Sequence, residues 1–203
     1  MIKFNINDTE VEAEPGWTIL ETARQYGINI PTLCYHEAVK PSGACRLCMV
    51  ELKDGDWSKL VASCIYPVAE NINVYTETKR VQNVRKWIFE MLLANCPASI
   101  EIREMAKKYG VVSTRFSIKN PDEDCMLCGL CTRVCEEVVG LSAISIVDRG
   151  VHKKIGAPFL RSTETCIACG SCVTICPTGA MRSIIDRVRS KPVMQLTQLN
   201  VSA

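Results

Sequence analysis

No uncharged apolar run in the 203-residue sequence approaches the roughly 18 residues that a membrane-spanning helix requires. The most apolar helical stretch, Trp87 to Ala94, is short and contains Glu90. The opening residues, Met1-Ile2-Lys3-Phe4-Asn5, also lack the apolar segment of a secretory leader, so the expectation is a soluble, cytoplasmic chain without a membrane span. Excess charge is equally scarce. Lys and Arg number 24 against 22 Asp and Glu, a net +2, which argues against a protein held to nucleic acid by phosphate contacts. There is no G-x-G-x-x-G fingerprint and no G-x-x-x-x-G-K-[ST] loop, so no nucleotide site is expected on this chain. Histidine occurs only twice, at His36 and His152.

Cysteine, by contrast, is abundant. There are 13, an odd number that argues against a complete disulfide framework, and in a reducing compartment so many thiols point to metal. They fall into three quartets and one orphan: Cys34, Cys45, Cys48, Cys64; Cys96 alone; Cys125, Cys128, Cys131, Cys135; and Cys166, Cys169, Cys172, Cys176. The last two quartets share the spacing C-x2-C-x2-C-x3-C, each cysteine lying 41 residues from its counterpart. The pattern is an internal repeat.

Zinc usually joins two C-x2-C knuckles across a longer loop, so that four ligands converge on one ion. Three cysteines within seven residues instead wrap three corners of a cubane, and C-x2-C-x2-C-x3-C-P is the run of bacterial [4Fe–4S] ferredoxins. Cys176-Pro177 completes it, whereas Cys135-Glu136 lacks the proline. In two-cluster ferredoxins the fourth cysteine of each run ligates the other cluster. The expected sets are therefore Cys125, Cys128, Cys131 and Cys176 for one [4Fe–4S] cluster, and Cys166, Cys169, Cys172 and Cys135 for the other. Gly129 and Gly170 occupy equivalent places, either to admit close backbone approach to cluster sulfur or as plain turn glycines. Between the repeats, Ala143 to Val147 alternates and Arg149-Gly150 turns, and the chain continues through Ala157-Pro158-Phe159, a small inserted hairpin.

The spacing of the first quartet, C-x10-C-x2-C-x15-C, by itself also permits zinc. Its surroundings favour another reading. Ile2 to Ile6 and Val11 to Glu14 alternate about an Asn7-Asp8 turn, Thr18 and Glu21 form a capping box ahead of a helix over 19–26, and Gly27 is placed to stop it. Met49 to Leu52 and Trp57 to Ala62 flank Asp54-Gly55 as a second hairpin, and Ile72 to Tyr75 supplies a last strand. The order strand, strand, helix, strand, strand, strand resembles the β-grasp of plant-type [2Fe–2S] ferredoxins. Pro41 to Cys48 resembles their ligand loop, with Gly43 and Ala44 small enough to let amides reach the sulfides. Arg46 either adds positive charge there or is an ordinary solvated arginine, which is the reading preferred.

His36 does not make a Rieske site, because such a site needs two histidines on one iron and His152 is remote. Val81, Val84, Ile88, Met91 and Leu92 recur at helical spacing within residues 80–95, and Ser99 caps a further helix toward Gly110; core packing explains their apolar faces. Cys96 reads as an inert buried thiol, not a ligand. The basic stretch Arg187 to Lys191 lies in a tail that is either solvated or docked on a partner.

The expected class is thus α+β: a β-grasp [2Fe–2S] domain over residues 1–78 (Cys34, Cys45, Cys48, Cys64), a helical linker over 79–118, a two-[4Fe–4S] domain over 119–185, and a tail over 186–203. This order resembles the small iron–sulfur subunit of NAD(P)-linked hydrogenases, formate dehydrogenases and electron-bifurcating complexes, and the N-terminal part of the large iron–sulfur subunit of respiratory complex I. Cys34-Tyr35-His36, Cys45 to Glu51 and Cys172 to Ala180 carry the resemblance most specifically. It implies an electron-transfer subunit with no active site of its own, relaying single electrons between a flavin (FMN) NAD(P)H-oxidising subunit and a further iron–sulfur or catalytic subunit, the flavin and nicotinamide being held elsewhere. A redox sensor or assembly protein is the alternative, and a succinate dehydrogenase-like subunit a more distant one. Many relatives carry a H-x3-C-x2-C-x5-C site after the first linker helix; here Leu92 to Pro97 keeps only the approach, so that additional cluster is expected to be missing. Iron–iron hydrogenases share the opening modules, but the chain stops at Ala203, and no hydrogen chemistry is expected on it.

Overall fold

The computed structural model describes residues 1–157, 164–182 and 184. The Pro158-Phe159 continuation of the inserted hairpin and nearly all of the tail, including Arg187 to Lys191, lie outside the described residues.

Strands β1 (Ile2–Ile6) and β2 (Thr9–Ala13) pair antiparallel across Asn7 and Asp8, both of which take the positive φ that a two-residue hairpin turn demands. Alternation sends Phe4, Ile6, Val11 and Ala13 inward. Helix α1 (Ile19–Gln25) starts at Thr18, whose hydroxyl accepts from the Glu21 N–H while the Glu21 carboxylate accepts from the Thr18 N–H. It stops at Gly27, where φ of +70° is open to glycine without steric penalty. Ile19, Leu20 and Ala23 pack onto the sheet.

β3 (Met49–Asp54) and β4 (Trp57–Ala62) form the second hairpin; Asp54 pairs with Trp57, so the turn is Gly55-Asp56, one residue later than expected. β5 (Asn73–Tyr75) then inserts between β1, which it meets in parallel, and β3, giving the mixed order β2-β1-β5-β3-β4. The core between sheet and α1 holds Phe4, Ile6, Ile19, Leu20, Val50, Leu52 and Val74. Each large buried apolar side chain there contributes on the order of 1.5–3 kcal/mol.

The second unit is helical. α2 (Lys79–Asn95), capped by the Thr78 hydroxyl, and α3 (Ile100–Lys108), capped by Ser99, pack together through Phe89 and Tyr109, whose ring centroids lie 5.1 Å apart. Their apolar faces do not merely bury each other. Ile88, Phe89, Leu93, Ile102 and Ala106 form one core with Leu33, Cys34, Cys45 and Leu47, so the helix pair is the floor of the first cysteine loop.

The third unit is small and built around a duplicated turn. α4 (Leu130–Arg133), continued by a π-helical turn over Val134–Val138, and α5 (Ser171–Thr174) each follow a glycine with left-handed φ, Gly129 and Gly170. The hairpin β6 (Ser145–Val147) and β7 (Lys154–Gly156) lies between them in sequence. No helix among the described residues is long and apolar enough to cross a membrane.

Candidate metal centres

All thirteen cysteines are free thiols. Cys34, Cys45 and Cys48 come from the long loop between α1 and β3, and Cys64 follows β4, so the hairpin brings the fourth to the other three. All four are buried. They are arranged as two pairs. The Cys48 and Cys64 sulfurs lie 3.4 Å apart, and the Cys34 sulfur accepts from Cys45. The hydrogen bond with Cys45 is the main cause that lowers Cys34 to about 5; burial opposes it, and the amides of Cys45 and Ala44 and the Ser42 hydroxyl add to it. Cys64 likewise holds Cys48 down, to about 6. Cys45 and Cys64, the proton-keeping partners, are raised.

Backbone geometry aims the amides. Gly43 has a left-handed backbone (φ +64°) that strains any side chain, a Cβ there would press on Ile65 Cδ1 at 3.0 Å, and Arg46 also takes positive φ, +60°. The Cys45 N–H donates to Cys34 Sγ at 3.2 Å. Arg46 itself points into solvent, the ordinary role preferred for it. His36 accepts the Ala38 N–H on Nδ1 at an exposed turn.

In the C-terminal unit the thiols fall into two sets. Cys131 is pushed up to about 12 by burial and then by the negative charges of Cys128, Cys125 and Cys176. Cys172 is raised by burial and by Cys166, Cys169 and Cys135. Cys176 thus acts on Cys131 of the first run and Cys135 on Cys172 of the second. A cavity of about 90 Å³ is lined by Cys135, Cys166, Cys169 and Cys172 with apolar Val139, Leu141, Ile144 and Val173. The Ala143 N–H donates to Cys135 Sγ at 3.3 Å. The repeat extends to dihedral angles: Leu127 and Ala168 have φ of +56° and +57°, Gly129 and Gly170 +72° and +79°. A Cβ at Gly170 would meet nothing within 4 Å, so its left-handed backbone rather than crowding explains the glycine.

Among the described residues no three His, Cys, Asp or Glu side chains converge on a single point. A cluster spreads its thiolates over two or four irons rather than gathering them on one. The donor chemistry, all thiol, and the amides directed at sulfur fit such a group. Burial raises Cys125, Cys128 and Cys131, so loading at these three thiols displaces protons.

Cys96 shares the helical core with Cys34 and Cys45. It is wholly buried at the end of α2, its Sγ donating to the Leu92 carbonyl at 3.0 Å. Two arginines that the sequence reading passed over also reach the sites. Arg85, with no exposed surface, donates from Nε to the Leu47 carbonyl (3.1 Å) and from Nη2 to that of Met49 (3.0 Å), clasping Cys48 from both sides. The signal for it was a charge on the apolar face of α2. Arg133 donates to the carbonyls of Cys34 and Lys40, 99 and 93 residues away, and no sequence signal announces that.

Fold and thiol sets together define an iron–sulfur protein of ferredoxin-type modules. The family described as a 2Fe-2S iron-sulfur cluster binding domain matches residues 1–79, and that described as a 4Fe-4S dicluster domain matches residues 124–180. The NADH-ubiquinone oxidoreductase 75 kDa subunit of Reclinomonas americana is 31% identical over 206 residues, covering 90% of this chain and 29% of its own length. The alpha subunit of the NADPH-Fe(3+) oxidoreductase of Geobacter sulfurreducens is 31% identical over 219 residues, 95% of this chain and 25% of its own length. The crystal structure of NAD+-reducing [NiFe]-hydrogenase in the H2-reduced state contains a similar chain, with TM-score 0.67, 27% identity, and coverage of 77% of this chain and 74% of that one. The chain is homologous to the N-terminal part of the 75 kDa subunit of NADH-ubiquinone oxidoreductase, complex I, and to the NAD+-reducing hydrogenase subunit. It spans about a quarter to a third of the length of these curated relatives.

Proposed function

We propose that this chain is an electron-transfer subunit of a cytoplasmic NAD(P)H-linked oxidoreductase, working between a flavin-containing subunit that oxidises the nicotinamide and a second redox subunit. The N-terminal unit is read as a β-grasp domain, residues 1–78, joined by a helical linker, 79–118, to a two-cluster domain, 119–185. Cys34, Cys45, Cys48 and Cys64 would hold a [2Fe–2S] cluster; Cys125, Cys128, Cys131 and Cys176 one [4Fe–4S] cluster; and Cys166, Cys169, Cys172 and Cys135 another. When bound, such clusters take up and release one electron at a time, whereas a nicotinamide gives a hydride, which is why a flavin must stand between them.

The observation that carries this reading is the packing of the three thiol sets against one another through shared cores. Cys34 and Cys45 lie in the helical core together with Cys128, and Cys128 and Cys172 flank the core of Val39, Leu130, Val134 and Ile175. The first four thiols are buried, and Cys169 is exposed. The homologues named above, subunits of NADH- and NADPH-linked oxidoreductases and of a hydrogenase, support the nicotinamide connection.

The test is kinetic. The purified holo-chain alone should not pass electrons from NADH or NADPH to an artificial dye, while addition of its flavin partner should reduce the chain within the turnover time of the complex. Rapid pyridine-nucleotide oxidation by the isolated chain would overturn the relay, and a chain that stays oxidised during turnover would point to a sensor.

A further inference from the structure

Arg133 sits at the end of α4, between Cys131, which belongs to one cubane set, and Cys135, which belongs to the other. Its guanidinium leaves its own unit. Nη2 donates to the Cys34 carbonyl at 3.2 Å and Nη1 donates to that of Lys40, so one side chain holds both ends of the segment 34–40. One turn further on, the Glu137 carboxylate accepts the Lys40 N–H at 2.8 Å. Between these ends Val39 is buried against Leu130, Val134 and Ile175. The segment that carries the first cysteine of the two-iron set is thus docked on the helix that carries cysteines of both cubane sets.

Both acceptors of Arg133 are neutral carbonyls, and among the described residues no carboxylate lies within ion-pair distance of it. Among the described residues its charge thus has no ion-pair partner. Cations near a cluster favour its more negative, reduced form, because the interaction energy grows with the charge on the cluster. A planar fork that meets two carbonyls in different directions is also a task a lysine ammonium performs poorly.

We propose that Arg133 is a positioning residue: it latches the cysteine segment 34–40 onto α4, fixing the separation of the two-iron and first cubane sites, and places one unpaired positive charge between them. The proposal rests on the ligand sets given above, and the experiment separates the two.

Holo-chain carrying Arg133→Gln, Arg133→Lys or no change is reduced and compared by EPR spin integration and line shape, by redox titration, and by amide hydrogen exchange of residues 34–40. Spin integration of the unchanged protein tests the ligand sets alone. With full loading, Arg133→Gln should raise exchange at Val39 and Lys40 at least tenfold, weaken the magnetic coupling between the two reduced centres, and lower the [2Fe–2S] potential. Arg133→Lys should keep the potential while losing exchange protection, a division that a purely structural role does not produce. Should the Gln variant load poorly, Arg133→Lys and Glu137→Gln carry the exchange measurement. Unchanged exchange, line shape and potential in fully loaded Arg133→Gln would overturn the latch and leave the ligand sets standing. A wild-type protein without a [2Fe–2S] signal would overturn those sets and the proposal with them.

Discussion

Leu127 and Ala168, equivalent residues of the two C-x2-C-x2-C runs, share a left-handed backbone with φ of +56° and +57°. An L-residue there carries a penalty of roughly 1–2 kcal/mol, tolerated where the backbone must turn its amides toward one point. Cys125 receives a backbone hydrogen bond from Leu127, which shows what the turn accomplishes.

Relieving that strain should stabilise the protein. Ala168→Gly is expected to gain about 0.5–1 kcal/mol, the removed penalty less the added chain entropy of glycine. Gly170→Ala, at φ +79°, should lose about 1–2 kcal/mol although a Cβ there meets nothing within 4 Å. Thermal midpoints of the holo-variants at one scan rate check both signs.

Much of this was legible in the sequence because it is local. Alternation, a capping box and turn residues place β1, β2, α1 and the second hairpin to within a residue or two, and the repeated cysteine spacing announces the cubane runs. Contacts made over long separations were not legible. Arg133 meets carbonyls more than 90 residues away. Arg85 interrupts the apolar face of α2, and only the fold turns it into the clasp of Cys48. The left-handed Leu127 and Ala168 were hidden for another reason, since neither residue type favours that region.

Burial pushes the Cys96 thiol up to about 12, with the negative charges of Cys125 and Glu123 adding to it. In the unfolded chain this thiol titrates near its ordinary value of 9.0. Between those pH values the unfolded state binds fewer protons than the folded one, so stability falls as pH rises through the window and is unaffected by this group below it. Cys96→Ser should therefore show a shallower alkaline decline in thermal midpoint than the unchanged protein, with the same iron content. An equal decline would place the alkaline sensitivity elsewhere, and lost iron would make Cys96 a ligand.

The Arg85 clasp should matter more than its ion pair. Arg85 Nη1 lies 2.6 Å from Glu77 Oε1, but Glu77 is half exposed and the pair is screened. Arg85→Met leaves the Leu47 and Met49 carbonyls without their donor, about 1–3 kcal/mol for each buried acceptor. Glu77→Gln should stay within about 1 kcal/mol of the unchanged protein. The [2Fe–2S] spin per chain should fall in Arg85→Met and persist in Glu77→Gln, with the [4Fe–4S] signals intact in both.

The crossed sets make a prediction about pairs of substitutions rather than single ones. Full loading of one [2Fe–2S] and two [4Fe–4S] centres amounts to about 10 irons with as many acid-labile sulfides. Any single serine replacement among the eight C-terminal cysteines that abolishes a centre leaves about 6, whichever set it belongs to, and so cannot discriminate. Doubles can. Cys135 shares its cavity with Cys166, Cys169 and Cys172, so Cys135→Ser combined with Cys169→Ser should remove the same centre twice and leave about 6 irons. Cys135→Ser combined with Cys128→Ser should remove both centres and leave about 2. For Cys176, a neighbour of Cys131, the pattern must reverse: loss with Cys128→Ser stops at about 6 and loss with Cys169→Ser reaches about 2. If each run instead kept its own fourth cysteine, all four doubles would exchange values. Elemental analysis of anaerobically purified variants therefore decides the connectivity by whether losses coincide or add, without assigning any spectrum to a particular centre.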